Sequence, residues 1–290
     1  MKSSSTIFSL LLAGTLGLLL TPGCFLVRDS VDCTDQICII SRQGVDYVLG
    51  TEYDDIYVQN PFPFDVTVTL ELMPQNMGVH LYQPLTETYK GQSITKVARA
   101  TVTNPKQPWS VHHAYTWSIG SIHAVHDTNY LYRLPYQAGM AYPVSQGYNG
   151  AYSHSGQNQF AVDFRLPEGT LVCAARPGMV VEVKEDSDQG GAGQEYQSFA
   201  NYVRVLQDDG TIADYSHLRQ FGATVTVGEH VSRGDTIGFS GNTGWSSGPH
   251  LHFRVMQTID GSSRQSCRLK FATASGTIND PIEGMAYIAK

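Results

Sequence analysis

Two histidines stand one residue apart in the apolar run "SSGPHLHFRV", residues 246 to 255. In an extended strand, residues i and i+2 project from the same face, so His250 and His252 would lie side by side, about 6–7 Å apart along the strand. Paired imidazoles can bind a metal ion, transfer protons or simply pack. The pair alone does not choose among these roles, because an HxH pattern is a weak signal.

Further candidates for the same chemistry occur upstream. His154 and Asp163 lie in "YSHSGQNQFAVDF", and His217 ends "TIADYSHL". Each lies in or beside a strand-like run flanked by glycine turns, so one sheet could bring them together. Catalytic zinc needs three protein ligands and an open position. His154, Asp163 and one member of the HxH pair would supply them, leaving His217 and the other histidine for proton transfer.

The elements that would position these residues read as strands. The chain has 28 Gly and 13 Pro, and 41% of its residues are hydrophobic. Apolar and polar residues alternate in "MVVEVKE", "YVRVLQ" and "TVTVG", which predicts short strands between Gly/Asp turns. The intervening "KEDSDQGGAGQEYQSFA" is typical of an exposed, mobile loop. The sequence therefore predicts a mainly β protein.

The first half predicts a smaller β-sandwich-like domain. "VTVTLELM" and "KVARATVTN" alternate and are separated by proline-containing turns. Four histidines follow within fifteen residues: His112, His113, His123 and His126. They could form a metal site, but no Glu or Cys accompanies them at ligand spacing, which favours a histidine-bearing strand or linker. We place the domain boundary at 143/144, giving an N-terminal domain 24–143 and a C-terminal domain 144–290.

Residues 1–23 have the pattern of a secretory signal peptide. A lysine at position 2 precedes an apolar stretch that ends in small and turn residues before Cys24. This predicts export to the cell envelope or secretion. Gly23 before Cys24 fits a lipoprotein cleavage site, so Cys24 is a candidate lipid anchor to an outer membrane or cell surface. Ordinary signal cleavage nearby is the alternative.

The net charge limits the class of binding partner, and the cysteine content limits the disulfides that can form. The formal net charge is -7 and no basic run occurs, which argues against a nucleic-acid partner. Cys33 and Cys38 are close enough in sequence to close one small loop. Cys173 and Cys267 could pair or remain buried thiols.

Three blocks of the second half resemble a known family. They are "SHSGQNQFAVDFRLPEGTLVCAARPGMVVEV", "NYVRVLQDDGTIADYSHL" and "VSRGDTIGFSGNTGWSSGPHLHF". Together they are similar to the lysostaphin-type, or LytM-domain, zinc endopeptidases (metallopeptidase family twenty-three), over roughly residues 144–256. The resemblance implies a compact antiparallel β domain of the duplicated-hybrid-motif type, one Zn²⁺ per chain, and peptidoglycan peptides as substrate.

The resemblance also implies individual roles. By motif, His154, Asp163 and His252 would be metal ligands, whereas His217 and His250 would be the catalytic pair. Glycines 241, 244 and 248 would let the loop before HxH turn tightly. Most members of the family separate the first His and Asp by three residues, but eight lie between them here. These extra residues must bulge outward if both side chains are to reach one metal.

The resemblance leaves three functions open. The chain could be a cell-wall hydrolase, a non-catalytic LytM-type regulator of wall amidases, or a secreted zinc protease acting on proteins. The intact set of four histidines and one aspartate favours catalysis, because degenerate relatives are expected to lose several of these residues. The role of the N-terminal domain stays open among an inhibitory prodomain, a binding module and a spacer.

Overall fold

The computed structural model describes residues 29–290, of which nearly all the regular structure is β: 53% strand against 3% helix. This confirms the mainly β prediction. The predicted signal peptide, residues 1–23, and the candidate anchor Cys24 lie outside the described residues. No helix among residues 29–290 has the length and hydropathy needed to cross a membrane.

The first part of the chain forms two antiparallel sheets. Its strands are β1 (Asp29–Thr34), β2 (Ile37–Asp46), β3 (Thr51–Asn60), β4 (Val66–Gln75), β5 (Met77–Val79), β6 (Leu85–Tyr89), β7 (Ser93–Val102) and β8 (Ser110–Ile119). One sheet has the order β1-β2-β3-β7-β5 and the other β6-β4-β8. The predicted alternation holds in β4, where Val66, Val68 and Leu70 are fully buried.

These two sheets share a core with the rest of the chain. Ile39 and Val58 from the first sheet meet Val68 and Leu70 from the second, and Ile212 and Met256 of the C-terminal half join the same cluster. Thr258 Oγ1 donates to the Ile119 carbonyl at 2.7 Å across this junction. The N-terminal sheets therefore rest on strands that also carry candidate site residues.

The remaining strands build the larger sheet and its flanks. They are β9 (Leu131–Arg133), β10 (Ala141–Gln146), β11 (Val162–Phe164), β12 (Leu171–Cys173), β13 (Gly178–Lys184), β14 (Gly190–Gly191), β15 (Tyr202–Leu206), β16 (Ile212–Ser216), β17 (Leu218–Ala223), β18 (His230–Val231), β19 (Thr236–Ser240), β20 (Gly244–Trp245), β21 (Leu251–Thr258), β22 (Arg264–Ser266), β23 (Lys270–Thr273), β24 (Gly276–Ile278) and β25 (Ala286–Ile288). Two short 3₁₀ helices span Gly156–Asn158 and Gln194–Phe199.

The main sheet has the order β18-β13-β15-β16-β21-β11-β10-β25, with β22 paired to β21. Its core includes Phe164, Tyr215 and Phe253, all fully buried. The C-terminal segment belongs to this unit, since Phe271 lies in the core and β25 pairs with β10. On the N-terminal side, β9 pairs in parallel with β23. The boundary at 143/144 stays a prediction.

One local prediction was wrong. Residues 224–228 ("TVTVG") are not a strand: the Glu229 amide donates to the Thr226 carbonyl at 3.1 Å, Gly228 has φ 92°, and Val227 is 54% exposed. Val225 is the one residue of this segment that reaches the core, so the apolar–polar alternation here reflects a loop with a single buried side chain and not a strand. The segment predicted as an exposed, mobile loop, residues 184–200, does connect β13 to β15 and is largely exposed. It also contains β14, which pairs in parallel with β20, and the second 3₁₀ helix, and its mobility stays a prediction.

The four cysteines within residues 29–290 divide into two classes. Cys33 and Cys38 form a disulfide across the β1–β2 hairpin. Its two turn residues, Asp35 and Gln36, both have positive φ, as a two-residue hairpin turn requires. Cys173 and Cys267 are separate buried thiols.

Candidate metal centre and active site

Strand register brings Asp163 and His252 face to face. Asp163 of β11 is the register partner of His252 of β21, and Ser216, the last residue of β16, flanks His252 on the other side. His217 follows directly and turns the chain with φ 67°. A positive φ is uncommon for a residue with a side chain and often marks a functional position. Three adjacent strands thus end around one point.

His154, Asp163 and His252 form a compact group that can hold a metal ion. One ligand atom from each lies within 4.8 Å of the others. Asp163 Oδ1 is 3.1 Å from His154 Nε2 and 2.9 Å from His252 Nδ1. Among residues 29–290, this is the only group of three or more such side chains with that geometry.

The proton positions in this group suit a cation. His154 Nδ1 lies 2.8 Å from the Gly147 carbonyl, which can only accept, so His154 Nε2 presents a lone pair towards Asp163. Burial would raise the pKa of Asp163, but the contacts from His154 and His252 hold it well below its usual value. Burial lowers the pKa of His252. Neutral imidazoles and an ionised carboxylate are the forms that bind zinc.

The eight residues between His154 and Asp163 form a braced outward loop. Its 3₁₀ helix, Gly156–Asn158, lies at the surface. The Phe160 amide donates to Ser266 Oγ at 3.0 Å, and the Gln265 side chain donates to the Gly156 carbonyl at 3.1 Å. Arg254 of β21 donates to Asn158. The long spacing is therefore compatible with convergence of both ligand candidates, as the sequence required.

His217 and His250 form a second pair beside the metal group. Their ring centroids are 4.6 Å apart, and His250 Nε2 lies 3.9 Å from Asp163 Oδ2. Each Nδ1 faces a carbonyl: Thr243 at 2.6 Å for His217, Gly248 at 2.8 Å for His250. Both rings therefore present Nε2 as a proton acceptor. Burial, helped by the neighbouring His250 and His252 rings, lowers the pKa of His217 to about 3, so its ring is neutral at pH 7.

Comparison with known proteins identifies one domain of this chain. The model of peptidase family M23 matches residues 157–265. A glycyl-glycine endopeptidase, ALE-1, from Staphylococcus capitis is 33% identical over 143 residues, which are 49% of this chain and 35% of that protein. Residues 157–265 are therefore a peptidase M23 domain.

Other M23 relatives match over similar stretches. Lysostaphin from Staphylococcus simulans is 31% identical over 155 residues, 53% of this chain and 28% of that protein. A peptidoglycan DD-endopeptidase, ShyA, from Vibrio cholerae is 36% identical over 94 residues, 32% of this chain and 19% of that protein. The chain thus spans about a third or less of the length of these relatives. The crystallised catalytic domain of S. simulans lysostaphin aligns at 30% identity and a TM-score of 0.31, covering 45% of this chain and 88% of that domain.

A groove of 870 Å³ opens onto the metal group of this M23 domain. Asp163, His217, His250 and His252 line its floor. One wall carries the Tyr152 and Trp245 rings, whose centroids are 5.4 Å apart, and both side chains donate to the Ala192 carbonyl of the β14 segment. The segment predicted to be mobile therefore supports the wall of the groove.

Two of the three predicted loop glycines have a steric reason. A Cβ at Gly241 would lie 2.3 Å from the Arg219 amide, and one at Gly244, where φ is 76°, would lie 2.4 Å from Ala200. Gly248 has no positive φ, and nothing lies within 4 Å of its Cβ position. Neither backbone conformation nor a close contact requires a glycine at this position. Its carbonyl matters instead, because it orients His250.

The histidines of the N-terminal half lie elsewhere. His113 of β8 has its Nε2 3.0 Å from Asp32 of β1. His123, in the segment after β8, has its Nε2 3.0 Å from Glu87 of β6. His112 lies on β8 and His126 contacts the Tyr132 ring. None of them belongs to the metal group.

Gln146 is a site residue that sequence reasoning missed. It ends β10 opposite Asp163, and its Nε2 donates to Asp163 Oδ2 at 2.9 Å. Its Oε1 accepts the Tyr152 and Ser153 amides at 2.9 and 3.1 Å, so one buried amide connects the aspartate to the His154 loop. The signal in the sequence was slight: Gly150, where a Cβ would overlap the Gln146 side chain, leaves room for it.

Replacing Gln146 with alanine is expected to weaken zinc binding by about 10- to 100-fold, the usual cost of losing a partner that orients a metal ligand. The aspartate would lose one hydrogen-bond donor and the His154 loop two acceptor contacts. Zinc affinity is measured by competition with a chromogenic chelator. Gln137→Ala, at an exposed position, is the matched control. An unchanged affinity in the Gln146 variant would show that this amide does not orient the site.

Proposed function

We propose that this protein is an exported, zinc-dependent metalloendopeptidase that hydrolyses amide bonds in peptidoglycan peptides. The observation that carries the proposal is the convergence of five side chains: the His154, Asp163 and His252 group, with His217 and His250 beside it, all but the buried His154 lining one groove. The names of the relatives, a glycyl-glycine endopeptidase and a peptidoglycan DD-endopeptidase, support the substrate class.

The residue roles follow from the donor geometry. His154 Nε2, an Asp163 carboxylate oxygen and His252 Nδ1 would hold one zinc ion. Zinc in such a site supplies Lewis-acid polarisation and lowers the pKa of water to ~7. His217 and His250, each with a free Nε2, would take a proton from the attacking water and deliver it to the leaving nitrogen. The C–N bond breaks, water oxygen joins the carbonyl carbon, and the amine leaves protonated.

The groove fits a peptide substrate. Its volume of 870 Å³ lies in the ~300–1,000 Å³ range of sites for ligands of moderate size. Tyr152 and Trp245 offer aromatic surface on one wall, and the exposed side chains of Arg165 and Glu283 offer charge elsewhere on the lining. Such a mixture suits peptide stems with charged ends better than an extended apolar ligand.

Chelation separates the three candidate functions. Incubated with purified sacculi, the protein is expected to release soluble muropeptides, to lose this activity in a zinc chelator, and to regain it when zinc is restored. A casein-type substrate should stay intact. Cleavage of casein but not of sacculi would identify a protein-directed protease. No cleavage of either substrate by zinc-loaded protein would favour the regulatory role.

A further inference from the structure

A second, smaller pocket lies where the N-terminal sheets meet the peptidase sheet. It has a volume of 240 Å³, and its lining includes Trp117 of β8, Gln157 of the His154 loop, and Arg254 and Arg264 of β21 and β22. This volume lies below the ~300–1,000 Å³ of drug-sized sites, and a buried water occupies ~30 Å³. The space therefore suits a small polar group with a few waters.

Three arginines cluster around two carboxylates beside this pocket. Asp214 is fully buried and accepts from Arg254 Nε and Nη2 at 3.1 and 2.8 Å. Glu182 accepts from Arg204 at 2.6 Å. Both carboxylates are thus already paired. Arg264, the third arginine, adds a positive charge for which this cluster has no counter-charge.

Arg264 is the unusual member of the cluster. Within residues 29–290 its side chain makes no ion pair and no hydrogen bond, and its Nε is buried without a partner. Burial and the nearby Arg204 and Arg254 lower its pKa to about 10, so it remains charged at neutral pH. Arg264 is half-buried, and a guanidinium nitrogen withdrawn from water without a partner costs free energy, which makes its buried Nε informative.

Neighbouring polar groups leave the guanidinium free for a ligand. The Asp260 carboxylate, in the turn after β21, is engaged by the Ser262 amide at 2.7 Å and the Ser263 hydroxyl at 2.7 Å. Arg254 uses three of its nitrogens towards Asp214 and Asn158 but retains further N–H donors. Two guanidinium groups therefore line one polar pocket, and each has N–H donors that make no hydrogen bond within the described residues.

We propose that this pocket binds a small oxyanion, carboxylate or phosphate, between Arg254 and Arg264. The planar guanidinium fork matches both groups, and two arginines on one anion would give charge-assisted hydrogen bonds. The anion would supply the negative charge that is missing from the cluster of three arginines and two carboxylates. This site is separate from the metal group and does not depend on the proposed peptidase activity.

The test is anion-dependent stability of the zinc-loaded protein. Thermal unfolding is measured with increasing inorganic phosphate, and separately acetate, against chloride at equal ionic strength. We expect a saturable rise in melting temperature with at least one oxyanion, and the stronger of the two identifies the ligand class. Arg264→Met should reduce that apparent affinity at least ~10-fold, as expected for losing a charged hydrogen-bond partner. Phosphate that binds at zinc would still act in this variant.

Two further variants make the result decisive. Arg264→Lys keeps the charge without the planar fork and should bind the anion with intermediate affinity, whereas Arg233→Met, at an exposed position, should respond like the parent. In chloride alone, Arg264→Met should be at least as stable as the parent, because it removes an unpaired charge. The proposal fails if Arg264→Met is less stable than the parent in chloride, if its anion response equals the parent's, or if neither anion gives a saturable response.

Discussion

Asp163→Asn is expected to abolish both zinc retention and amide hydrolysis. Asp163 is the centre of the metal group: its two oxygens contact His154, His252 and Gln146 at 2.9–3.1 Å. An amide has one oxygen and no negative charge, so it cannot replace a carboxylate among two neutral imidazoles. The loss of zinc affinity should exceed the ~100-fold upper range for a residue that merely orients a ligand. Metal content after dialysis and muropeptide release are the two measurements.

The matched control is Asp188→Asn, which removes the same charge from an exposed position in the β13–β15 connection. It should retain zinc and activity. Circular dichroism of both variants verifies that the fold survives, because asparagine has nearly the shape of aspartate. Full zinc content together with parental activity in the Asp163 variant would contradict the metal assignment. Normal zinc content with no activity would move Asp163 from ligand to catalyst.

The sequence predicted which side chains converge better than it predicted the loops that hold them. Asp163 and His252 lie on paired strands and His250 directly precedes β21, so alternation and register determine which side chains share a face. Residue type and spacing therefore carry the information. His154 and His217 lie at strand ends or in loops, but the motif blocks placed them next to strands, and the structure brings all five together.

The sequence failed where a role depends on a long-range contact. Gln146 is one of many glutamines until β10 is paired with β11, and only then does its amide face Asp163. The Thr243 and Gly248 carbonyls orient His217 and His250, and a carbonyl has no residue-type signal at all. The same limit applies to residues 184–200, where the Gly-rich composition gave no sign that β14 pairs with β20.

Composition also concealed the charge network under the N-terminal sheets. Arg204, Asp214 and Arg254 alternate with apolar residues on β15, β16 and β21, so each reads as the solvent-facing member of a half-buried strand. The N-terminal sheets cover that end of the face instead, and Asp214 is fully buried. Because strands far away in the sequence pack on this side of the sheet, local periodicity could not predict its burial.

His250→Ala and His217→Ala are each expected to lower the rate of amide hydrolysis by about 100- to 10,000-fold, the range for losing a general acid or base. Neither ring belongs to the compact ligand group, so each variant should retain about one zinc per chain. Turnover is measured on a defined muropeptide at saturating concentration, with zinc quantified in the same sample. Retained zinc with lost turnover separates proton transfer from metal binding.

The double variant and one matched control complete the argument. The two ring centroids lie 4.6 Å apart and both Nε2 atoms are free. The pair can therefore carry one proton from the attacking water to the leaving nitrogen. Residues that act as a unit give non-additive effects, and the double variant should lose little more than either single one. His230→Ala, at an exposed position of β18, should behave like the parent. Parental turnover in His250→Ala would refute its catalytic role, and multiplicative losses would assign the two histidines to separate steps.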